Sequence, residues 1–194
     1  MKKAICRWLL KCMGWNIGLT GDDVPKCVIC VAPHTSNTDF LIGKLFYNAV
    51  GKQAKFLMKK EWFFFPLGLI FRSMGGVPID RSRNQSMTEQ MAAEFASHDY
   101  FRVAITPEGT RKRVDEWKRG FYYIALKARV PIQLGYIDYG RKEVGIMSTF
   151  RPTGDADADI RYIRSCYKGI RGHHGEKFGE VGEERDKKNG KIDE

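Results

Sequence analysis

Apolar runs of strand length alternate along this chain with longer segments of helical period, and that alternation restricts the fold more than any single motif. CVICVA (27–32) reads as a buried strand, while FLIGKLFYNAV (40–50), apolar on nearly every side and followed by Gly51, reads as a buried helix. GGVPIDR (75–81) is a turn and a short strand, and residues 84–97 space Met87, Met91 and Phe95 as an amphipathic helix does. A strand from Arg102 runs into PEGTR (107–111), and residues 118–129 return to helical spacing. VPIQLGYI (130–137) and EVGIMSTF (143–150) are two further strands joined around Gly140. A last helix, about 157–168, follows a DADAD stretch whose carboxylates suit a helix N-terminus. Gly14 to Pro25 reads as a connection. Strands separated by helices imply a single α/β domain with a largely parallel or mixed sheet flanked by helices, and 194 residues suit one such domain.

Ligands of such sheets bind beyond the carboxyl ends of the strands, and three strands here end in residues unlike their apolar bodies. The first end is PHTSNTD, which puts His34 and Asp39 five positions apart. An imidazole that takes a proton from a hydroxyl near neutral pH needs a carboxylate to hold its tautomer and stabilise its cation. Pro33 separates strand from loop, Ser36 and Asn37 are good N-cap types, and Asp39 in the first helical turn can face back toward His34. Such a pair alone is common and usually structural. The second and third ends are Asp80-Arg81 and Glu108-Gly109-Thr110-Arg111. Gly109 permits close backbone approach, Thr110 offers a hydroxyl, and Arg81 and Arg111 suit bidentate pairing to phosphate. Together the three loops describe an oxyanionic ligand beside a general base.

The net charge of +10 favours an anionic partner, and the excess lies in the body because the last segment, 171–194, is close to neutral. That segment is Gly-rich and charged, and reads as a disordered tail in which His173 and His174 are solvated. Five scattered cysteines suit reduced thiols in a cytosolic compartment. Cys27 and Cys30 point to opposite faces of one strand, so no metal site is expected there. No stretch approaches the about 20 apolar residues that cross a bilayer, and the start lacks the features of a signal peptide. Two segments instead suit a membrane surface. Residues 3–13 space Ile5, Trp8, Leu9 and Cys12 on one helical stripe, with Lys3, Arg7 and Lys11 on another, which equally describes a helix packed on the domain. The run from Lys55 to Phe71 holds Trp62, Phe63, Phe64 and Phe65 between basic flanks, and suits a membrane interface, an acyl-chain tunnel mouth or plain core. Nucleic acid is not an expected partner, because the aromatics crowd into one apolar run.

In order and content these motifs resemble those of the glycerolipid acyltransferase family, which includes 1-acylglycerol-3-phosphate and glycerol-3-phosphate acyltransferases. HTSNTD (34–39) resembles its His-x4-Asp, GGVPIDR (75–81) its motif ending in Arg, PEGTR (107–111) its Pro-Glu-Gly-Thr-Arg, and VPIQL (130–134) its Val-Pro strand, over roughly residues 27–137. With that resemblance the chain reads as an acyltransferase domain over 1–170, its segment 1–14 an amphipathic membrane-surface helix and 171–194 the tail. It implies that His34 is the general base and Asp39 its orienter. It also implies that Arg81, Glu108, Gly109, Thr110 and Arg111 hold the phosphate and glycerol of the acceptor, and that Val130 and Pro131 help form the acyl-chain wall. The implied donor is acyl-CoA or acyl carrier protein, the acceptor a lysophospholipid, and neither cofactor nor metal is required. The implied location is peripheral, on the cytoplasmic inner face of a membrane. Leu134 departs from the second proline of many members, which leaves chain preference open. An acylated amino acid as acceptor, a thioesterase using water, and a non-catalytic binder of anionic lipid are the competing readings.

Overall fold

The computed structural model describes residues 2–80, 86–112, 114 and 116–174. Their elements run α1 (Lys2–Cys12), β1 (Asn16–Thr20), β2 (Lys26–Ala32), α2 (Thr38–Val50), β3 (Lys55–Lys59) and, after a 3-10 turn at Lys60–Trp62, α3 (Leu67–Ser73). They continue through β4 (Gly76–Ile79), α4 (Met87–Ser97), β5 (Phe101–Ile105), α5 (Gly120–Ala128), β6 (Ile132–Asp138), β7 (Glu143–Phe150) and α6 (Ala156–Cys166). The strands form one mixed sheet in the order β1-β7-β6-β2-β5-β3-β4. β6, β2, β5, β3 and β4 are mutually parallel, and the β6–β7 hairpin around Gly140 reverses β7 and, with it, β1.

Alternation along β2 divides the core. Cys27 and Ile29 face one layer with Leu10 of α1 and Ile42 and Phe46 of α2, while Val28, Cys30 and Ala32 face the other with α4, α5 and α6. The two cysteines thus lie on opposite faces, as their spacing predicts, and burial pushes the Cys27 thiol up to about 12. The helices end where local chemistry predicts: Gly51 closes α2 in the left-handed conformation, and Ser86 and Glu89 form a reciprocal capping box on α4. Asp155 caps α6 by accepting from Asp157 N and Ala158 N.

Four local expectations change. The connection between Gly14 and Pro25 contains β1, an edge strand whose NIGLT alternation is only five residues long and buries none of its side chains fully. The aromatic run contains β3 and α3, and is neither plain core nor fully exposed. Leu57 packs on the core, while Trp62, Phe64, Phe65, Leu69 and Ile70 are 50–83 % exposed. In α1 the packed residues are Cys6 and Leu10, and Ile5 and Trp8 of the expected stripe face outward. Finally, the chain does not leave the domain at 171. Arg171 O accepts from Tyr139 N, and Gly172 is buried against Pro33 and Thr35, so residues 171–174 pack beside the His34 loop. Residues 175–194 of the expected tail lie outside the described residues, as does Arg81.

Candidate active site

The carboxyl end of β2 releases the chain into the loop Pro33–Asn37, and α2 returns it with Asp39 as its second residue. That short excursion sets His34 Nδ1 3.1 Å from Asp39 Oδ2. The same Oδ2 accepts from Thr35 N and Ser36 N at 2.9 Å each, and Oδ1 accepts from the Tyr139 hydroxyl at 2.7 Å. Asp39 is 3 % exposed. Burial acts to raise its carboxyl, yet the bonds from His34, Tyr139 and Ser36 N outweigh it and hold the group below the ordinary carboxylate range. An imidazole that donates through Nδ1 to a carboxylate presents Nε2 as a base. His34 is among the residues that line a cavity. The Asn37 side chain, an expected cap type, makes no cap bond and instead accepts from Arg111. Ser36 Oγ accepts from Thr38 N.

The loop after β5 supplies the second half of the site. Glu108 is 5 % exposed, and both of its oxygens accept from His34 N, at 2.9 and 3.2 Å. It therefore ties the loop after β5 to the His34 loop, and it is not among the residues that line the two cavities described below. Burial raises the Glu108 carboxyl to about 7, with the His34 N–H and ring lowering it and the Asp39 charge raising it. A carboxyl raised by folding contributes stability that is fully present below its unfolded value near 4.5 and is lost as pH rises through about 7. Glu108→Gln removes that slope. The stability of wild type relative to the variant is expected to fall by up to about 3 kcal/mol between pH 4.5 and 8. Urea melts of both proteins across that range would check it, and parallel curves would contradict it.

Gly109 follows in the left-handed conformation, with the Lys118 side chain where a Cβ would sit. Both residues line a cavity of about 760 Å³ together with Lys59, Asp80, Met87 and Phe121. Thr110 Oγ1 accepts from Lys112 N, and Arg111 reaches the His34 loop through Asn37. A narrower cavity of about 290 Å³ opens at His34 and Asp39 and runs between α2 and the sheet. Its walls are Phe40, Gly43, Lys44 and Tyr47 on α2 against Val31, Phe56, Leu57 and Ala104 on the strands. The two cavities share Leu57 and Thr106.

Val130 and Pro131 are not part of this assembly. Pro131 O accepts from Val28 N at the start of β6, whereas His34 follows the other end of β2. From the Val28–Ile132 pair to the Ala32–Tyr136 pair is four residues of strand, about 13 Å. The reason is legible in the sequence: the other motifs follow their strands, and Val-Pro precedes its own. Tyr139 was missed, although it directly follows the carboxyl end of β6 and so obeys the rule that found the other loops. Lys118 and the α2 wall carry no comparable local signal. No cluster of metal-ligating side chains occurs among the described residues.

Comparison with known proteins gives a family and a similar fold. The family model described as Acyltransferase matches residues 17–134. In fold the chain is similar to the 1-acyl-sn-glycerophosphate (LPA) acyltransferase PlsC of Thermotoga maritima, with a TM-score of 0.57 and 18 % identity over 84 % of this chain and 74 % of that one. The family match runs from β1 into β6 and takes in both loops that meet at the His34 backbone, and by it the chain belongs to the acyltransferase family and is an acyltransferase.

Proposed function

We propose that the protein transfers a fatty acyl group from the thioester of acyl-CoA or acyl carrier protein to the hydroxyl of a lysophospholipid, with 1-acylglycerol 3-phosphate as the acceptor. The observation that carries this reading is the His34 imidazole, bonded through Nδ1 to a buried carboxylate and bordering a cavity that adjoins a glycine and lysine loop. Nε2 takes the proton of the acceptor hydroxyl as its oxygen attacks the thioester carbonyl. The tetrahedral intermediate collapses, the carbon–sulfur bond breaks, and the thiol leaves with the proton from the imidazolium. No acyl-enzyme forms. The slot between α2 and the sheet, apolar on most sides, receives the acyl chain in place of the Val130–Pro131 wall. Gly109, Lys118 and Arg111, together with Arg81, hold the phosphate of the acceptor.

The test is thiol release from acyl-CoA and acyl carrier protein donors, with lysophosphatidate, glycerol 3-phosphate and an N-acyl amino acid as alternative acceptors. Lysophosphatidate-dependent release with phosphatidate as product supports the proposal. Release without an acceptor makes the protein a thioesterase, and release only with another acceptor overturns the phosphate assignment.

The same reading puts the enzyme on the anionic cytoplasmic surface of a membrane. No described helix is long and apolar enough to cross one. Phe65 and Leu69 are 83 % and 64 % exposed, beside Trp62, Phe64 and Ile70 and between the basic residues Lys59, Lys60 and Arg72. Exposed apolar side chains flanked by cations match a headgroup layer. The double variant Phe65→Ser, Leu69→Ser is expected to bind phosphatidylglycerol vesicles at least about tenfold more weakly, since each large side chain is worth roughly 1 kcal/mol or more on burial. Vesicle sedimentation measures this, and equal partitioning of both proteins would place the contact elsewhere.

A further inference from the structure

Asp39 is held from a part of the chain that the family match does not include. Tyr139 and residues 171–174 lie beyond residue 134, where that match ends. The Tyr139 hydroxyl donates to Asp39 Oδ1 at 2.7 Å, the oxygen that His34 does not use. Its ring is fixed edge-on against Trp15 at 4.9 Å and His173 at 4.8 Å, and its backbone N–H donates to Arg171 O. The returning chain grips the catalytic loop as well, where His174 N donates to Thr35 Oγ1. We propose that Tyr139, braced by the returning segment 171–174, is a positioning residue that sets the strength of the His34 base through Asp39. This rests on the general-base reading of His34.

The physical argument concerns where the negative charge of Asp39 resides. A donor on Oδ1 draws charge away from Oδ2, so the carboxylate attracts the His34 proton less strongly. Burial, and then the neighbouring Asp39, push the Tyr139 phenol far above its ordinary value, so it stays a donor throughout the working pH range. Other ionisable groups face the pair. Glu108 bonds to His34 N, Arg111 to Asn37, and Lys44 and Lys55 line the slot. Behind the phenol stand His173 and the Lys142 ammonium. All of these remain when only one hydroxyl is removed, so a difference between wild type and Tyr139→Phe reports that hydroxyl alone.

In Tyr139→Phe the ring and its packing survive. Without the Oδ1 bond, Asp39 holds the imidazolium more tightly, and neutral His34 is lost at a higher pH. The expected result is a melting temperature within a few degrees of wild type, kcat lowered about threefold on the acid side of the profile and little changed above it, and KM for donor and acceptor within about twofold. The acid limb of kcat/KM is expected to move upward by roughly half a pH unit. Histidine-selective NMR titration, with His34 assigned by its absence in His34→Gln, is the readout that needs no turnover. There the His34 midpoint is expected to rise by the same amount in Tyr139→Phe. An unchanged midpoint overturns the positioning role whatever the activity. A shifted midpoint in a protein that transfers no acyl group to any acceptor upholds the positioning role and overturns the proposed function instead.

Discussion

His34→Ala is expected to reduce acyl transfer by about three orders of magnitude, within the range of about 10²–10⁴ that a positioned base contributes. Stability should change little. The His34 ring is partly exposed and its one described side-chain bond is to Asp39, which keeps three other donors. The backbone N–H that Glu108 holds is retained in Ala. The loss should fall on kcat with both KM values nearly unchanged, because the imidazole acts on the proton in flight and not on the bound phosphate or acyl chain. Steady-state kinetics on wild type and variant, with circular dichroism to confirm the fold, decide the matter. A variant that retains a tenth of the activity would remove His34 from the role of base.

Asp39→Ala is expected to damage both activity and fold. Thr35 N, Ser36 N, the Tyr139 hydroxyl and His34 Nδ1 all donate to this one side chain. Three of those donors hold the loop or its brace, and in the variant they have no acceptor in a site where Asp39 itself was 3 % exposed. A stability loss on the order of 2–4 kcal/mol follows from leaving several buried donors unpaired. Activity should fall at least about 10²-fold, since the imidazole loses its tautomer and its orientation. The wild-type carboxyl is held low by its donors, so its contribution is present above the ordinary carboxylate range and is lost as pH falls through the lowered value. Urea melts should therefore show wild type and Asp39→Ala converging in acid. Curves that remain equally separated at low pH would mean that the loss comes from the shape and packing of the side chain and not from its charge.

The alternation of strand and helix periods was sufficient to place β2, α2, β4, α4, β5, α5, β6, β7 and α6, because burial of an apolar face imposes its period locally. β1 escaped because an edge strand buries no complete face. The His34–Asp39 bond was legible for a similar reason, since one loop and the first turn of a helix bring positions five apart together whatever the rest of the chain does. The two layers of the domain, the exposed polar ends of the parallel strands and the glycine at the turn after β5 follow from the same local rules.

What the tertiary structure alone decided are the pairings at long range. Glu108 meets the His34 backbone across 74 positions, Tyr139 meets Asp39 across 100, and His174 meets Thr35 across 139. No local period encodes such contacts; they depend on strand order, on parallel register and on the direction in which each loop leaves the sheet. That is why the Glu108 carboxylate, at the end of a different strand, comes to hold the His34 backbone N–H. It is also why Val130 and Pro131 stand at the far end of β6, and why a segment that looks like the start of a solvated tail packs against the His34 loop. The sequence by itself determined a sheet with a histidine and its carboxylate partner at one edge, and the packing of distant strands decided which side chains hold that pair in place.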